Sequence, residues 1–427
     1  MKNRRSFIKS TGIVAGGLWL SPSLLQAKQS IAASDRVRVA LIGCNNMGFG
    51  ILRHHIAMPE VDCVALCDVD QNVLDRRIAE VESATGKKPK RYTDYRTLLE
   101  RNDVDAVIIG TPDHWHCLIA VAACQAGKDV YVEKPFSSYV TEGRDLCELL
   151  KEHPQIVQIG SQQRSEERFL IAAAAVRQGL IGELRGVEVT INSREGNPDP
   201  WTGQPVPPEL DYDMWLGPVP WMDYHPDRLH YNFRFMPEIG SGEIANWGAH
   251  HLDIVQLALG MDDSGPVFVN GGGRRNPPGA RHYSFFGIDV DYKYANGVKM
   301  KLRSCSSSDN SGIYFFGSMG NLFVSREEVS TSPKELIRSF PRDLVDLFRK
   351  TRGGHLSNWI GCMKTRRAED LHAPAEVGHR SATICHMANI AIELGRPLNW
   401  DPEKEVFISD GYANAMLNRP VRKGWEI

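Results

Sequence analysis

The sequence lacks an excess of basic residues, a long apolar run and any paired-cysteine metal motif. Lys and Arg total 50 against 52 Asp and Glu in 427 residues, so a nucleic-acid-binding surface is not expected. Without a stretch of about 18 apolar residues, a membrane-spanning helix is excluded. The nine cysteines show neither CxxC nor zinc-ribbon spacing, and the histidines lack a completing acid, so we expect buried thiols and no metal site. The ordinary apolar fraction of 42% predicts a globular chain.

The first 33 residues differ from the rest and predict an export signal. Four basic residues and no acid precede an apolar run from Thr11 to Leu20, and small residues follow up to Ala27 or Ala33. The run is too short to cross a bilayer core of about 30 Å. Asn3–Lys9 resembles the bacterial twin-arginine motif. We therefore expect residues 1–33 to engage the twin-arginine export machinery, giving a periplasmic protein without a stable membrane span after processing. A retained anchor and an amphipathic start are the alternatives.

Residues 37–68 follow the order strand, glycine turn, helix, strand and acid, which is the pattern of a dinucleotide-binding unit. The parts are the β-branched run Val37–Ile42, the turn Gly43–Gly48, a helical stretch through Met58, the strand Val64–Cys67 and Asp68. The free N–H groups at such a helix start attract a pyrophosphate. This segment therefore predicts a bound dinucleotide.

Each residue type in the pattern has a physical task. Gly43 permits the tight turn, and Gly48 allows the helix to approach the sheet closely. The middle glycine is replaced by Asn45, which tolerates a left-handed backbone but must point away from the phosphates. Asp68 can accept ribose hydroxyls and would repel a 2′-phosphate, which favours NAD over NADP. The cofactor-binding residues expected here are Gly43, Asn45, Asn46, Met47, Gly48 and Asp68.

Strand and helix signals continue to alternate up to about residue 155. The runs Asp105–Gly110 and Asp129–Val132 are buried strands, and His116–Ala126 is a helix between them. This alternation predicts a doubly wound parallel sheet with ligands at the carboxyl ends of its strands. We therefore assign residues 36–155 to an NAD-binding Rossmann domain. Further cofactor contacts are expected from Thr111, Pro112, His114, Trp115, His116, Glu133 and Lys134.

Several motifs together resemble the glucose–fructose oxidoreductase / inositol dehydrogenase (Gfo/Idh/MocA) family. They are Gly43–Gly48, Thr111–His116, Ala126–Lys128, Glu133–Pro135 and Ser241–Asp253. The last resembles the family's second signature, G-G-x-x-x-D-x-G-x-H-x-x-D. The resemblance implies an α/β fold of two parts: the Rossmann domain and a C-terminal α/β domain with a large, open, mostly antiparallel sheet.

The remaining chain agrees with that implied second part. Gly186–Ile191, Phe286–Tyr294 and Val298–Cys305 alternate like half-exposed strands. We assign residues 156–427 to a substrate and oligomerisation domain, whose tail is expected to pack back on the Rossmann domain. In the family the outer face of this sheet commonly forms an oligomer interface, so a homo-oligomer is expected.

The resemblance also implies the chemistry, which is oxidation of a secondary alcohol by hydride transfer to NAD. Lys134 matches the family lysine that steadies the substrate oxygen, and His250 matches the general acid/base. The family aspartate before that histidine is Asn246 here, which can orient the His250 ring or bind substrate but cannot stabilise an imidazolium by charge. Asp253 is an alternative partner. We name Lys134, His250 and Asn246 as catalytic.

Substrate contacts are expected from residues that mix aromatic surface with hydrogen-bond donors, as sugar pockets do. Three functions remain open: a carbohydrate or cyclitol oxidoreductase, a glycoside-cleaving enzyme that oxidises its substrate transiently, and a non-catalytic NAD-bound sugar-binding protein. The sequence names neither the sugar nor the reacting carbon. The expected substrate-binding residues are Gln163, Arg164, Tyr231, Arg234, Asn246, His250 and His355.

Overall fold

The computed structural model describes residues 35–305, 311–348 and 353–425. The predicted signal peptide, residues 1–33, lies outside the described residues. Within them, none of the helices is long and apolar enough to cross a membrane. Eight of the nine cysteines are buried thiols, and Cys305 is half-buried.

A six-stranded parallel sheet forms the first part of the molecule. Its strands are β1 (Val37–Ile42), β2 (Val61–Cys67), β3 (Lys90–Tyr92), β4 (Ala106–Ile109), β5 (Asp129–Val132) and β6 (Val157–Ile159). Its helices are α1 (Asn46–Ile56), α2 (Gln71–Thr85), α3 (Tyr95–Leu99), α4 (His116–Gln125) and α5 (Val140–Glu152). The spatial order β3-β2-β1-β4-β5-β6 is that of the Rossmann fold. The order reverses between β1 and β4, which is where such sheets open a ligand crevice.

Local chemistry explains why these elements begin and end where they do. The apolar residues of β1 and β4 are buried on both faces, as strands covered by helices on each side require. Asp70 caps α2 by accepting hydrogen bonds from the N–H groups of Asn72 and Val73. Gly86 ends the same helix in a left-handed conformation with φ +72°.

A nine-stranded, mostly antiparallel sheet forms the second part. Its strands are β7 (Leu184–Asn192), β8 (Pro266–Arg274), β9 (Phe286–Tyr294), β10 (Lys299–Cys305), β11 (Gly312–Gly317), β12 (Asn321–Val324), β13 (Val329–Ser332), β14 (Leu398–Asp401) and β15 (Val406–Phe407). The order is β13-β12-β11-β7-β10-β9-β8-β14-β15, and β7 and β10 run parallel. The predicted α/β fold class is confirmed.

The rest of the chain contributes seven further α-helices among the described residues. They are α6 (Glu167–Arg177), α7 (Tyr212–Leu216), α8 (Gly242–Asn246), α9 (Gly248–Leu259), α10 (His355–Thr365), α11 (Ala375–Leu394) and α12 (Gly411–Ala415). Of these, α6, α9 and α11 pack on the nine-stranded sheet, and their apolar residues form one core with the inward side chains of the strands. This core carries α8 and α9 to the edge of the crevice between the two sheets.

The first sheet extends beyond the boundary predicted at residue 155. The short apolar strand β6 pairs in parallel with β5, with Val130 opposite Val157. Helix α10 also joins the first core, where Trp359 is fully buried and its indole N–H donates to Ile156 O at 3.3 Å. The sequence pattern indicates a strand at Ile156–Gly160, but neither the pairing of that strand with β5 nor the packing of the distant α10 has a local signal.

The end of the described chain returns to the first sheet. Arg419 forms an ion pair with Glu142 on α5 and donates to His114 O at 2.8 Å. The Trp425 ring meets the Trp115 ring edge-on, with centroids 5.6 Å apart. The tail therefore reinforces the wall behind the crevice.

A cluster of ion pairs joins α5 to α11 and to the β14–β15 connection. Arg144 pairs with Glu376 at 2.8 Å and with Glu405 at 2.9 Å, and Arg380 contacts both carboxylates. His379 lies 2.6 Å from Glu405. Burial alone would raise the pKa of both glutamates, but the hydrogen bonds from these partners lower each pKa to about 2.

We expect Arg144→Met to lower the free energy of unfolding by about 2 kcal/mol at pH 7, because two half-buried carboxylates lose a partner. A lowered folded-state pKa gives stabilisation that is present above the ordinary value of 4.5 and is lost as the pH falls towards 2. The unfolding free energies of the variant and the wild type, measured with urea, should therefore draw together from about pH 4.5 downward and converge as the pH approaches 2. The control is Arg96→Met, which removes an exposed pair with Asp94. A constant difference across this pH range would contradict the assignment.

Candidate active site

A cavity of about 740 Å³ lies between the carboxyl ends of β1, β4 and β5 and the helices α8 and α9. Most of the residues predicted to bind cofactor or substrate line it. They are Gly43, Asn45, Asn46, Met47, Asp68, Thr111, Pro112, Trp115, His116, Glu133, Lys134, Gln163, Tyr231, Arg234, Asn246 and His250. The fold thus gathers segments that are far apart in the sequence into one site.

Three glycines meet without side chains at the floor of this cavity. A Cβ on Gly43 would lie 2.6 Å from Thr111 N, and one on Gly48 would lie 2.3 Å from Gly43 O. A Cβ on Gly110 would lie 2.4 Å from the Gly48 Cα. Such distances are too short for real side chains, so glycine is required at all three positions. The contact brings the start of α1 directly over the ends of β1 and β4.

The turn itself differs in one detail from the sequence expectation. Asn45 has an extended backbone with φ −92° and precedes α1, whereas Asn46 takes the positive φ of +31°. The Asn45 side chain does not cap the helix. The left-handed residue is therefore Asn46, because the chain must turn at the first residue of the helix.

Asp68 closes the turn from the next strand. Its Oδ2 accepts from Cys44 N at 2.7 Å, and its Oδ1 accepts from Asp70 N at 2.9 Å. Burial raises its pKa, and the two backbone hydrogen bonds oppose that shift. Each carboxylate oxygen retains a second lone pair for a ribose hydroxyl. The glycine contact, the uncapped start of α1 and this carboxylate together fit a dinucleotide.

Lys134 and Asn246 form the direct link between the two parts of the site. Lys134 Nζ donates to the backbone oxygen of Asn246 at 2.9 Å and to its Oδ1 at 3.0 Å. Burial lowers the pKa of Lys134, while the carboxylates of Glu133 and Asp113 oppose that shift. An ammonium has three N–H donors, so one remains for a bound ligand.

His250 is a buried, neutral base at the cavity wall. Burial lowers its pKa well below 6.5, and the nearby Lys134 and Arg326 lower it further. Its Nδ1 has no hydrogen-bond partner within the described part of the chain. The Gln163 amide, oriented to satisfy both neighbours, donates to His250 O at 2.9 Å and accepts from Arg326 Nε at 3.2 Å. The imidazole is therefore held in its neutral form, with Nδ1 available to a bound ligand.

Neither partner expected for His250 holds its ring. The Asn246 side chain bonds to Lys134 and, through Nδ2, to Glu243 at 2.9 Å. Asp253 is buried in an ion pair with Arg164, whose Nε donates to both carboxylate oxygens at 2.8 Å, and it also accepts from Ser381 Oγ. Both side chains bond to charged groups, which form stronger hydrogen bonds than a neutral imidazole does.

Two further acids of the site have perturbed titration. Burial raises the pKa of Glu133 to about 7, although Lys134 and the Gln162 amide oppose the shift. Gln162 Nε2 donates to Glu133 Oε1 at 3.0 Å. Burial also raises the pKa of Asp113, which lines the cavity but was not among the predicted site residues. Its position inside the Thr111–His116 motif was the one sequence feature that could have indicated Asp113 as a site residue.

Four predicted residues support the site from outside the cavity. Gly48 lies behind the turn. His114 Nε2 contacts Trp215 O at 3.0 Å, and Arg164 is held by Asp253 and Asp262. His355 is buried, with Nε2 2.7 Å from Ile159 O and Nδ1 2.9 Å from Ser165 Oγ. The side chains of His114, Arg164 and His355 are thus engaged by protein groups and do not face the cavity.

The cavity also shows two features that no sequence motif indicated, which are the task of His116 and the presence of Arg326. His116 was predicted, but its task was not: its ring nitrogens lie 2.7 Å from Pro135 O and 3.0 Å from Thr111 O, tying together the ends of β4 and β5. Arg326 follows β12, and its guanidinium lies 4.8 Å from the centre of the Trp247 ring. It reaches the cavity from a segment that only the tertiary fold places there.

Comparison with protein families agrees with this architecture. Residues 182–427 match the Gfo/Idh/MocA model described as the oxidoreductase family, C-terminal alpha/beta domain. Residues 37–161 match the family's NAD-binding Rossmann fold. The chain belongs to the Gfo/Idh/MocA oxidoreductase family. Its first part is therefore an NAD-binding Rossmann unit, as predicted.

Curated relatives of this Gfo/Idh/MocA chain include two Shewanella proteins. A glycosyl hydrolase family 109 protein of Shewanella pealeana is 33% identical over 204 residues, and an alpha-N-acetylgalactosaminidase of Shewanella oneidensis is 32% identical over 202. Each alignment covers 43% of this chain and 44% of the relative. The chain thus matches less than half the length of these curated relatives.

Solved structures share the complete two-part fold. The WlbA dehydrogenase of Bordetella pertussis, in complex with NADH and UDP-GlcNAcA, superposes with a TM-score of 0.62 at 17% identity, covering 86% of this chain and 99% of that one. An aldose-aldose oxidoreductase of Caulobacter crescentus, complexed with glycerol, also gives 0.62 at 17%, covering 85% and 99%. At this identity the likeness establishes the fold of the Gfo/Idh/MocA chain.

We expect Gly48→Ala to abolish retention of NAD in the purified protein, because its methyl group would displace the Gly43 turn. Gly50→Ala is the matched control: it lies on the same helix, and its Cβ would meet nothing within 4 Å. Replacing that helical glycine should leave cofactor retention unchanged and add about 0.5–1 kcal/mol of stability. Mass spectrometry of the purified proteins measures the bound cofactor. Equal cofactor content in the two variants would contradict the role of Gly48.

Proposed function

We propose that this protein is an NAD-dependent oxidoreductase that acts on a secondary hydroxyl of a sugar, a sugar derivative or a cyclitol. The observation that carries the proposal is the meeting of Lys134 Nζ and the His250 ring with the cofactor-binding turn in a single cavity. Oxidation of a hydroxyl beside the cofactor needs a cation near its oxygen and a base for its proton. Lys134 is proposed as the cation and His250 as the base. Asp68, rather than a basic residue, supports NAD over NADP as the cofactor.

The residues divide the work on the substrate hydroxyl. Bound NAD supplies the hydride acceptor. The remaining N–H of Lys134 donates to the substrate oxygen and stabilises the negative charge that develops there. The neutral imidazole of His250 accepts the hydroxyl proton. The glycine turn would hold the pyrophosphate of the dinucleotide, and Asp68 would accept hydrogen bonds from a ribose of the dinucleotide.

The cavity rim supports a carbohydrate as substrate. Tyr231 is 47% exposed, and the Arg234 guanidinium lies 3.9 Å from the centre of its ring. Together they offer an aromatic surface and planar hydrogen-bond donors, which suit the mixed faces of a sugar. Gln163 and Asn246 add amides deeper in the cavity. The ligand UDP-GlcNAcA in the WlbA complex supports the same substrate class.

We infer that the protein is exported to the periplasm by the twin-arginine machinery and assembles as a homo-oligomer. Residues 1–33 carry the charge and apolar pattern that supports export. A Rossmann unit that must fold around its cofactor suits a pathway that exports folded proteins. The alternate exposed side chains of β9, which lie on the face of the sheet away from the helices, support the oligomer.

A second candidate function is redox-assisted cleavage of a glycoside. The names of the curated relatives, a glycosyl hydrolase family 109 protein and an alpha-N-acetylgalactosaminidase, favour it. In this reaction the sugar is oxidised at C3 only transiently, which makes the neighbouring C–H acidic. A neutral base such as His250 could then remove the C2 proton as the C1–O bond breaks and the aglycone leaves. Water would add across the resulting C1–C2 double bond, and return of the hydride to C3 would restore the hydroxyl and NAD.

We expect Lys134→Met to retain bound NAD and to lose turnover by about 100-fold or more, because the oxygen of the substrate loses its charged donor. Lys151→Met is the control, since Lys151 is exposed and pairs only with Glu148 among the described residues. Cofactor content by mass spectrometry and steady-state rates on a panel of sugars measure the two effects. Undiminished turnover in Lys134→Met would overturn the proposed role.

A product assay separates the two candidate reactions. With free sugars, an oxidoreductase should accumulate NADH, read at 340 nm, in proportion to product when NAD is supplied. With nitrophenyl glycosides, a redox-assisted glycosidase should instead release nitrophenol without net NADH. Binding of a sugar with neither signal would support the non-catalytic alternative and contradict both.

A further inference from the structure

A chain of two hydrogen bonds joins Lys134 to a buried carboxylate that the mechanism above does not use. Lys134 Nζ donates to Asn246 Oδ1 at 3.0 Å, and Asn246 Nδ2 donates to Glu243 Oε2 at 2.9 Å. Asn246 and Glu243 stand three residues apart on α8, so they share one face of that helix. The amide therefore bridges a cation from one sheet and an anion from the other part of the molecule.

The chemistry of the two neighbours fixes the orientation of this amide. An ammonium only donates hydrogen bonds, and an ionised carboxylate only accepts them. The Asn246 oxygen must therefore face Lys134, and its NH₂ group must face Glu243. The opposite orientation would place donor against donor and acceptor against acceptor, so the bridge holds Lys134 in one position.

Glu243 is too well buried to be an incidental surface acid. Its exposed fraction is 2%. The cations that face its carboxylate are Arg234, Lys134 and Arg194, and burial raises its pKa against their influence. Around Lys134 the charged groups are Glu133, Asp113, Arg234 and Glu243. The carboxylate thus belongs to the electrostatic environment of the lysine.

We propose that Glu243 is a positioning residue for Lys134: through the Asn246 amide it fixes the ammonium and stabilises its charged form. The third N–H of Lys134 is thereby directed at the cavity, while the other two are committed to Asn246. The catalytic consequence rests on the proposed function. The effect on the lysine itself does not, because it is a property of the protein without substrate.

The test measures the titration of Lys134 directly. Competitive acetylation with acetic anhydride across a pH series, followed by peptide mass spectrometry, gives the reactivity of this lysine in the purified holoprotein. Glu243→Gln should lower its pKa by about one unit, so that labelling at a fixed pH below that pKa becomes about tenfold faster. The control Glu238→Gln should leave labelling unchanged, since Glu238 is bonded to Tyr283 rather than to the bridge.

Two further variants keep the proposal falsifiable. Glu243→Gln combined with Asn246→Asp returns a carboxylate to Lys134 and should restore slow labelling. Asn246→Leu breaks the bridge while keeping both charges and should also accelerate labelling, which provides a test if the Glu243 variant fails to fold. Wild-type labelling in a folded, NAD-retaining Glu243→Gln protein, or in Asn246→Leu, would overturn the proposal.

Kinetics on an active substrate add a second readout. The alkaline limb of the kcat/KM profile, where the ammonium is lost, should move to lower pH in Glu243→Gln. A residue with a merely structural role would lower the rate without moving this limb. If none of the sugars is turned over, the proposed function fails, whereas the labelling result on Lys134 still stands or falls by itself.

Discussion

The site depends on one close contact, the side-chain-free meeting of Gly43, Gly48 and Gly110. This contact lets a helix start lie directly over the ends of two adjacent strands. Neighbouring parts of the cavity are positioned by this contact. The carboxylate of Asp68 closes the turn after Gly43, and the Thr111–His116 segment, which lines the cavity, begins directly after Gly110. A methyl group at any of the three positions would move the cofactor site as a whole.

The ionisation of the side chains in the site is set by their burial and their hydrogen-bond partners, and not by the number of charged residues in the chain. Lys134 is a cation held by neutral oxygens, His250 is a neutral base without a carboxylate partner, and Glu133 has a pKa near neutrality. Burial thus shifts the pKa values of Lys134 and His250 downward and that of Glu133 upward within one cavity. Asn246 is central to this arrangement of charges, because an aspartate there would place a formal charge directly on the lysine, whereas the amide transmits one from Glu243.

The local pattern predicted the first sheet well, because strand, glycine turn and acid lie within about thirty residues and each depends on its sequence neighbours. The resemblance to a known family, and not the local pattern, predicted that Lys134 and His250 belong to one site. The local pattern could not predict that Arg164 is committed to Asp253, that His355 is buried behind β6, or that Arg326 reaches the cavity. Those outcomes are set by tertiary contacts between distant segments, for which a lone arginine or histidine carries no signal.

The returning tail has a consequence for the order in which the molecule can be completed. The wall behind the cavity contains Trp115, whose ring is covered by Trp425, and the first core contains Trp359. Trp359 and Trp425 are synthesised long after β1 to β5. A nascent chain can therefore form the parallel sheet early, yet its cofactor site gains its final rigidity only when the last helices and the tail have docked. Trp115, which lines the cavity, is therefore covered only after the tail has docked.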